Sequence, residues 1–529
     1  MVLLLSLPLI TIAIRSFAPA SDVWRHLAST VLAGYVTTSA GVVLAVCVLA
    51  LVLGVTTAWL VAACDFPGRR VFEWALVLPL AVPAYIAGYT YAGMLDVAGP
   101  VQRVLRALMP DGADRFIYID VLRTETVILV LAMVLYPYVY LTARVSFLRQ
   151  SRAVLDASLT LGRSAWGTFF RVALPMARPA IAAGVALVAM EVLNDYGTVK
   201  YYGVTTMTTA IFRAWFGMGD LDAAIRLAGL LMLFVFILLA IERAQRGRAR
   251  FDDGTAAHRP LRRHSLGGAG AVAAFTVCLV PVLLGFLLPV AQLGYWAVRT
   301  ARTAVDVAFG RIVLHSFGLA LAAAVLCIAA GLLVAWAVRL ARSEALRELS
   351  RVSVLGYAIP GAVIAVGVMI PFAWVDHGVD AFMRETFGVS TRLLLSGSLA
   401  ALTFAYVVRF MAVAHLPVES GLARVCGNMD DAARSLGASP SRTLARVALP
   451  LLRGTLLGAL ILVFIDVLKE LPLTLILRPF NFDTLSTRAF QLATDEQIAQ
   501  SANAALVIIG ASVLPVVVLN RLLVRRNAT

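Results

Sequence analysis

The sequence predicts an all-α membrane protein of about twelve transmembrane helices, arranged as two tandem six-helix halves. Composition, apolar spans and an internal repeat support this fold class. The chain has 529 residues, of which 61% are hydrophobic and only 14% are charged, with a mean hydropathy of +0.88. Soluble domains carry about 25% charged residues. The deficit of charge therefore indicates a chain that lies mostly within a bilayer.

Apolar segments recur along the whole chain at lengths that suit a bilayer. A hydrocarbon core of about 30 Å requires roughly 20 apolar residues in a helix. The first half has predicted spans near 1–14, 40–64, 72–95, 126–143, 179–196 and 224–241. The second half has predicted spans near 268–298, 313–338, 352–375, 393–418, 454–470 and 501–523. The first of these is short for a full crossing.

A polar, basic segment occurs twice, 275 residues apart. Residues 155–181 match residues 430–456, and the pentapeptide Arg-Val-Ala-Leu-Pro at 171–175 recurs unchanged at 446–450. Such a self-match indicates a duplicated unit. Both copies lie between the fourth and fifth spans of their half. We therefore predict two transmembrane domains, 1–244 and 267–529, joined by a polar linker at 245–266.

Arginine is distributed unevenly between the loops. The loop at 142–179 carries six basic residues and one acid, whereas the loop at 96–125 carries four basic and five acidic residues. The positive-inside rule places the repeated segments, the linker and both termini in the cytoplasm. Because six spans is an even number, the halves insert the same way up, related by a pseudo-two-fold axis along the membrane normal.

Several functional classes lack the residues that they need. The net charge of +15 is not gathered into a basic stripe with aromatic residues, which argues against nucleic acid. Five cysteines and six histidines show no metal-ligand or nucleophile spacing, so we expect no catalytic residues, cofactor or tightly bound metal. Neither lysine, Lys200 or Lys469, follows a glycine, which excludes a Walker A site. We expect no enzyme activity, and any ATPase is a separate polypeptide.

Each repeated segment predicts a short helix, a glycine turn and a second helix. An acid suits the start of the first helix electrostatically, and a glycine interrupts or ends it. A proline then stands near the start of the fifth span, where a missing N–H matters least. Two such devices on a pseudo-symmetric body predict a partner with two equivalent sockets. The alternative, a pair of amphipathic loops on the membrane surface, does not explain the recurring pattern.

The motif Asp156-Ala157-Ser158…Gly162…Leu174-Pro175, repeated from Asp431, resembles the EAA signature of ABC-importer permeases. Aspartate replaces the usual glutamate in both copies. The resemblance implies a bacterial inner-membrane permease with coupling helices seated in two cytoplasmic ATP-binding subunits, and a periplasmic substrate-binding protein as a further partner. The implied coupling residues are Asp156, Ala157, Gly162, Pro175, Asp431, Ala432, Gly437 and Pro450.

Two acids lie at matching depths in the fifth span of each half. Glu191 and Asp466 each follow an arginine, Arg178 or Arg453, by 13 residues. A helical rise of about 1.5 Å per residue places both acids roughly 20 Å into the bilayer. A buried acid at that depth is costly unless it faces a cavity or a partner. We predict a shared central pathway; the alternative is a structural ion pair or hydrogen bond with another helix.

The segments 191–203 and 466–496 resemble the ferric-iron importer branch of the same permeases, which implies Fe(III) as the substrate. Carboxylate and phenolate oxygens suit this hard cation. The predicted pathway residues are Glu191, Asn194, Asp195, Tyr196, Asp466, Lys469 and Glu470. Related branches carry thiamine, polyamine, sulfate or phosphonate, and these stay as alternative substrates. A secondary transporter with internal repeats is the alternative from another class.

Overall fold

The computed structural model describes residues 1–107, 120–150, 152–246, 263–341, 343–424 and 427–526. The first-half helices are α1 (Val2–Arg15), α2 (Asp22–Thr30), α3 (Leu32–Ala63), α4 (Arg69–Ala75), α5 (Ala84–Leu95), α6 (Pro100–Ala107), α7 (Thr124–Arg149), α8 (Arg152–Thr160), α9 (Ala165–Thr168), α10 (Leu174–Asn194), α11 (Gly197–Tyr201), α12 (Met207–Phe212) and α13 (Leu221–Arg246). Most of the predicted linker lies outside the described residues.

The second-half helices are α14 (Gly268–Val282), α15 (Leu288–Ala304), α16 (Val307–Ala341), α17 (Glu344–Ser353), α18 (Gly361–Phe387), α19 (Leu399–Arg424), α20 (Gly427–Ser435), α21 (Pro440–Thr443), α22 (Leu449–Lys469), α23 (Pro472–Leu477), α24 (Leu485–Thr494) and α25 (Ile498–Arg526). Short 3-10 turns form at Leu78–Ala81 and Leu355–Ala358, and π-helical turns at Phe169–Ala173, Arg213–Gly217, Leu283–Leu287 and Leu444–Ala448. In the described ranges the strands are β1 (Cys64–Asp65) and β2 (His264–Ser265), which pair in parallel.

Ten helices of the described chain are long and apolar enough to cross a membrane. An eleventh candidate is a helix pair, Arg69–Ala81 with Ala84–Val104, bent by 88°. The helix Val2–Arg15 is apolar but shorter. Each of the twelve predicted spans therefore corresponds to a helix, and the predicted all-α membrane fold is confirmed.

The third span of each half is broken rather than continuous, which the sequence analysis did not predict. The breaks fall at Pro83 and Pro360. The preceding residues, Val82 and Ile359, have extended backbones with ψ of 114° and 132°. Proline disfavours the helical conformation in the residue before it and lacks an N–H of its own. The chain therefore leaves the helix at this point and starts a new one.

The duplication extends from the polar segment into the spans. Helix α7 (Thr124–Arg149) and helix α19 (Leu399–Arg424) begin and end 275 residues apart. The same offset relates α10 to α22 and α8 to α20. Shared helix boundaries show that the two halves build the same elements in the same order, as the tandem repeat predicts.

Contacts group the chain into two compact units that differ from the sequence halves. The first unit contains Met1–Thr30, Ala210–Met232 and Val305–Arg488, and the second contains the intervening segments and Ala489–Thr529. In the first unit, α1 packs on α18. In the second unit, α15 packs on α5 of the first half. Each half's first span thus joins the core spans of the other half. The predicted domain boundaries describe the repeated sequence and stay a prediction.

Small residues allow close helix packing in the second unit. A Cβ on Gly54 of α3 would lie 2.6 Å from the Val139 Cβ and 2.9 Å from the Tyr140 amide nitrogen on α7. A Cβ on Gly184 of α10 would lie 2.9 Å from the Val139 Cα. Helices in lipid associate through such backbone approaches, because lipid tails are as apolar as leucine side chains.

Candidate functional site: two coupling segments and the residues after the fifth spans

The first repeated segment ends its short helix at a left-handed glycine. Gly162 follows α8 with φ of +81°. The Arg163 amide donates to the Ser158 carbonyl at 3.2 Å, and the Leu161 amide donates to the Ala157 carbonyl at 3.1 Å. This is the hydrogen-bond pattern of a glycine C-cap. No atom lies within 4 Å of a Cβ built on Gly162, so backbone conformation, not crowding, requires the glycine.

The second repeated segment has the same geometry. Gly437 has φ of +77°, and the Ala438 amide donates to the Ala433 carbonyl at 3.0 Å. We call residues 152–175 and 427–450 the coupling segments. The predicted helix, glycine turn and second helix are present in both of them. Pro175 and Pro450 lie inside the continuous helices Trp166–Asn194 and Pro440–Lys469, directly after the π-helical turns Phe169–Ala173 and Leu444–Ala448, and not at a helix start as the sequence predicted.

Serine caps complete each turn, and the sequence analysis missed them. The Gly167 amide donates to the Ser164 hydroxyl at 3.1 Å, and the Arg442 amide donates to the Ser439 hydroxyl at 3.3 Å. Serine is a preferred N-cap because its oxygen accepts from an otherwise unpaired amide. The two serines stand two residues after their glycines in both copies. That repeated Gly-x-Ser spacing was a visible signal for the second helix start.

A leucine precedes each turn glycine and projects from the protein. Leu161 is 82% exposed and Leu436 is 88% exposed. We call these two residues the turn leucines. Single exposed apolar residues are common. Here the same residue is exposed at the same offset in two glycine-capped turns, which gives the two halves equivalent surfaces. The sequence analysis named the glycines and acids but not the leucines.

The predicted coupling residues Asp156, Ala157, Asp431 and Ala432 are exposed on their helices. The acid next to this set, Asp430, faces inward. Its Oδ2 lies 2.7 Å from the Arg339 Nε of α16, and both side chains are largely buried. The buried Leu155 takes this place in the first copy. The two coupling segments are therefore anchored differently, one by an ion pair and one by apolar packing.

A shallow cleft of about 530 Å³ accompanies the first coupling segment. It is lined by Ala157, Ser158 and Gly162 together with Arg171 on the following π-helical turn. The Ser158 and Thr168 hydroxyls lie 3.1 Å apart, linking α8 to α9. This contact gives a structural reason for serine where the second copy has Ala433. The cleft, the exposed acid and the turn leucine together form a surface suited to a protein partner.

The two fifth-span acids are half-buried at equivalent positions but differ in their surroundings. The Tyr138 hydroxyl lies 3.5 Å from the Glu191 Oε1 in the second unit. At the offset of 275 residues, Val413 stands in place of Tyr138, and Asp466 is half-buried. Asn194 and Lys469 are also half-buried.

Asp195 and Glu470 stabilise the short helices that follow the fifth spans. Asp195 accepts from the Val199 amide at 3.1 Å and the Thr198 hydroxyl at 2.8 Å. Glu470 accepts from the Leu473 amide at 3.1 Å. Each carboxylate satisfies a donor in the first turn of its helix, α11 or α23. In this conformation both side chains are engaged in local structure, a role that the sequence analysis did not predict.

The structure divides the predicted pathway residues between the two compact units. Glu191, Asn194, Asp195 and Tyr196 belong to the second unit, and Asp466, Lys469 and Glu470 belong to the first. Tyr196 is buried and packs on Phe490, with ring centroids 6.0 Å apart. Within the described ranges, no cluster of three or more His, Cys, Asp or Glu side chains could hold a metal ion.

A family model for the inner membrane component of binding-protein-dependent transport systems matches residues 50–244 and 328–529. The chain belongs to this family. The permease domain occurs twice, so the protein is a two-domain fusion, as the tandem repeat predicted. Both coupling segments lie within the matched residues. The protein is a multi-pass inner-membrane permease component of a binding-protein-dependent ABC importer, which confirms the predicted transport function.

Named relatives of the permease differ in substrate and coverage. An Fe(3+)-transport system permease protein of Haemophilus influenzae is 25% identical over 476 residues, covering 89% of this chain and 86% of the relative. A sulfate transport system permease protein of Escherichia coli is 29% identical over 28% of this chain and 51% of its own length. A permease protein named for 2-aminoethylphosphonate transport in Salmonella typhimurium is 28% identical over 40% of this chain and 73% of its own length.

Proposed function

We propose that this permease imports ferric iron, which a periplasmic binding protein delivers and ATP hydrolysis by separate subunits drives inward. The observation that carries the iron assignment is the extent of similarity to the Fe(3+) permease of Haemophilus influenzae, which spans both halves. The sulfate and phosphonate relatives named above each match less than half of the chain. Sulfate and 2-aminoethylphosphonate are therefore the competing substrates.

The experiment is uptake by vesicles that contain the permease, its ATP-binding subunit and its binding protein. We expect radiolabelled Fe(III) to accumulate only when ATP and the binding protein are both supplied. Accumulation of sulfate or 2-aminoethylphosphonate in place of iron would reject iron as the substrate and still support ATP-driven import. Uptake driven by an ion gradient without the ATP-binding subunit would instead indicate a secondary transporter.

Two copies of a cytoplasmic ATP-binding subunit are the proposed partners of the coupling segments. The two segments share the glycine turn, the serine cap, the exposed acid and the exposed turn leucine, and two equivalent surfaces suit two equivalent sockets. Asp156, Ala157 and Gly162, with Asp431, Ala432 and Gly437, form the proposed contacts. Pro175 and Pro450 lie in the helices that carry any movement into the membrane. The permease itself performs no catalysis in this scheme.

Both termini and both coupling segments are proposed to be cytoplasmic, on the basis of the arginine bias. The linker is the most direct place to test this orientation. A cysteine introduced at Thr255 of a cysteine-free variant should resist an impermeant thiol reagent in intact cells and react after the cells are permeabilised. Labelling in intact cells would reverse the orientation and remove the basis for docking at the coupling segments.

Glu191 and Asp466 are proposed to line the translocation pathway, together with Asn194, Tyr196 and Lys469. Support comes from their matched positions and from the cost of an acid at that depth in lipid. The double substitution Glu191→Gln and Asp466→Asn preserves shape and removes charge. We expect uptake per folded protein to fall about tenfold, a change of roughly 1.4 kcal/mol in the barrier, with ATP-binding subunits still attached.

The control for these acids is the thermal stability of the purified double variant. A loss of stability before any loss of uptake would assign both acids a structural role, because a stranded buried partner destabilises the fold. Uptake and stability equal to those of the wild type would exclude them from the pathway. Tyr138→Phe is a matched variant, since it removes the hydroxyl 3.5 Å from Glu191 and leaves Asp466 untouched.

A further inference from the structure

Each half contains a contact between the helix that follows the proline break and the short helix that follows the fifth span. In the second unit, α5 packs on α11; we call this contact the first seam. In the first unit, α18 packs on α23; we call this contact the second seam. In both, a side chain lies against the backbone of a glycine. A Cβ on Gly88 would lie 2.8 Å from the Thr198 Cγ2, and a Cβ on Gly361 would collide with Glu470. Both seams therefore depend on a glycine.

A buried arginine joins three elements at the second seam. Arg409 of α19 donates from Nη1 to the Ile359 carbonyl at 2.7 Å. Its Nε lies 3.1 Å from the Glu470 Oε2. Both charged residues are only 5% exposed. Ile359 lies at the break before α18, and Glu470 accepts from an amide in the first turn of α23. The Arg409 guanidinium therefore connects α19 to both sides of the second seam.

Further hydrogen bonds extend this connection around Glu470. The Thr474 and Ser486 hydroxyls each donate to the Glu470 carbonyl at 2.9 Å. The Tyr406 and Thr474 hydroxyls lie 2.6 Å apart. Polar groups that are satisfied together in a low-dielectric interior rigidify the elements that carry them. The second seam is therefore held by a charged pair within a connected network.

The first seam pairs the corresponding helices of the first half, α5 and α11, without the cation. At the offset of 275 residues, Val134 stands in place of Arg409 and Asp195 stands in place of Glu470. Val134 is buried, and Asp195 caps α11 through neutral donors. Across this seam the Tyr202 hydroxyl donates to the Gly88 carbonyl at 2.9 Å. This contact is neutral, and neutral hydrogen bonds contribute less than charge-assisted ones.

The two seams therefore resist opening to different extents. Opening the second seam takes either the Ile359 carbonyl or the Glu470 carboxylate away from the buried Arg409, and leaving a buried charged group without a partner is costly. Opening the first seam breaks a neutral hydrogen bond and apolar contacts. We propose that Arg409 is a positioning residue that keeps the second seam closed throughout transport, so that local opening occurs at the first seam. This inference rests on the proposed importer function but on no particular substrate.

A reversible cross-link tests whether the first seam opens. The Cβ position of Gly88 lies 3.5 Å from the Thr198 Cβ, which is compatible with a disulfide. In the variant Gly88→Cys/Thr198→Cys, made with the five native cysteines replaced, the second substitution removes the Thr198 Cγ2 that a Cβ on Gly88 would meet at 2.8 Å, so the reduced protein should transport. We expect oxidation to lower transport at least tenfold, and a reductant to restore it. Transport by the fully oxidised protein equal to that of the reduced protein would overturn the proposal.

An exchange of the pair tests whether the second seam must stay closed. The variant Arg409→Val/Glu470→Asp gives the second seam the residues of the first. We expect it to fold, because both charged partners change together and the same pair exists at the first seam. We expect its ATP hydrolysis without binding protein to rise several-fold and its transport per ATP to fall. Wild-type values for both would overturn the positioning role.

Single variants distinguish the positioning role of Arg409 from a general requirement of Arg409 for folding. Arg409→Val alone leaves Glu470 buried without its cation, and we expect little folded protein. Arg409→Lys keeps the charge but cannot bond both Ile359 and Glu470, so we expect folded protein with raised basal hydrolysis. Basal hydrolysis by folded Arg409→Lys equal to the wild-type rate would contradict the proposal. If the exchanged pair fails to fold, the cross-link decides the result alone.

The measurements also separate this inference from the iron assignment. ATP hydrolysis stimulated by the binding protein is recorded beside Fe(III) uptake in the same vesicles. Wild-type vesicles that hydrolyse ATP on addition of binding protein but take up no Fe(III) would reject the substrate. In that case the ratio of binding-protein-stimulated ATP hydrolysis before and after oxidation of the cysteine variant would still show whether the first seam opens.

Discussion

Replacing both turn leucines with aspartate is expected to release the ATP-binding subunits from the permease. Leu161→Asp and Leu436→Asp each remove an exposed apolar side chain from a rigid turn and put a carboxylate in its place. Burying a leucine contributes about 1.5–3 kcal/mol. Loss at two sites therefore weakens the complex by at least about 3 kcal/mol, roughly a hundredfold. Co-purification of the ATP-binding subunits from detergent measures the effect.

The matched control for the turn leucines is Leu122→Asp. Leu122 is also exposed but precedes α7, at the opposite end of that helix from the first coupling segment. We expect this variant to retain the ATP-binding subunits and transport normally. Each single leucine variant should retain partial binding, because the other coupling segment is intact. Full co-purification of the double variant would show that the turn leucines do not contact the ATP-binding subunit.

Gly54→Val is expected to abolish the yield of folded permease. Its Cβ would lie 2.6 Å from the Val139 Cβ and 2.9 Å from the Tyr140 amide nitrogen, so α3 and α7 would have to move apart. Overpacking of this kind costs about 3 kcal/mol, and the Gly184 approach to the same part of α7 would be disturbed as well. Monodisperse yield and thermal unfolding in detergent are the measurements.

Gly41 supplies the comparison on the same helix. No atom lies within 4 Å of a Cβ built on Gly41. Gly41→Val should therefore change the free energy of unfolding by less than about 0.5 kcal/mol, the range expected from helix propensity. Equal effects at the two positions would mean that general helix propensity, and not the contact with α7, makes Gly54 necessary.

Much of the fold follows from local patterns in the sequence. Span lengths follow from the thickness of the bilayer, and the 275-residue repeat predicts matching elements in two halves. The turns at Gly162 and Gly437 were predictable because a single residue type sets the backbone there. The serine caps Ser164 and Ser439 carried an equally local signal that was overlooked. The exposure of the turn leucines could not be read from sequence, since leucine is common in every span.

The sequence by itself determined the fold class, the approximate positions of the apolar spans, the duplication and the two glycine turns. Only the tertiary structure decided that each half's first span packs in the other half's unit, and that Arg409 meets Glu470 at the broken third span. The physical reason is the same for both. In a bilayer every span is apolar on most faces, so hydropathy predicts which segments span the membrane but not which helices pack together. Which helices pack together depends on close backbone approach and on buried polar pairs, and the partners in these contacts lie far apart in the chain.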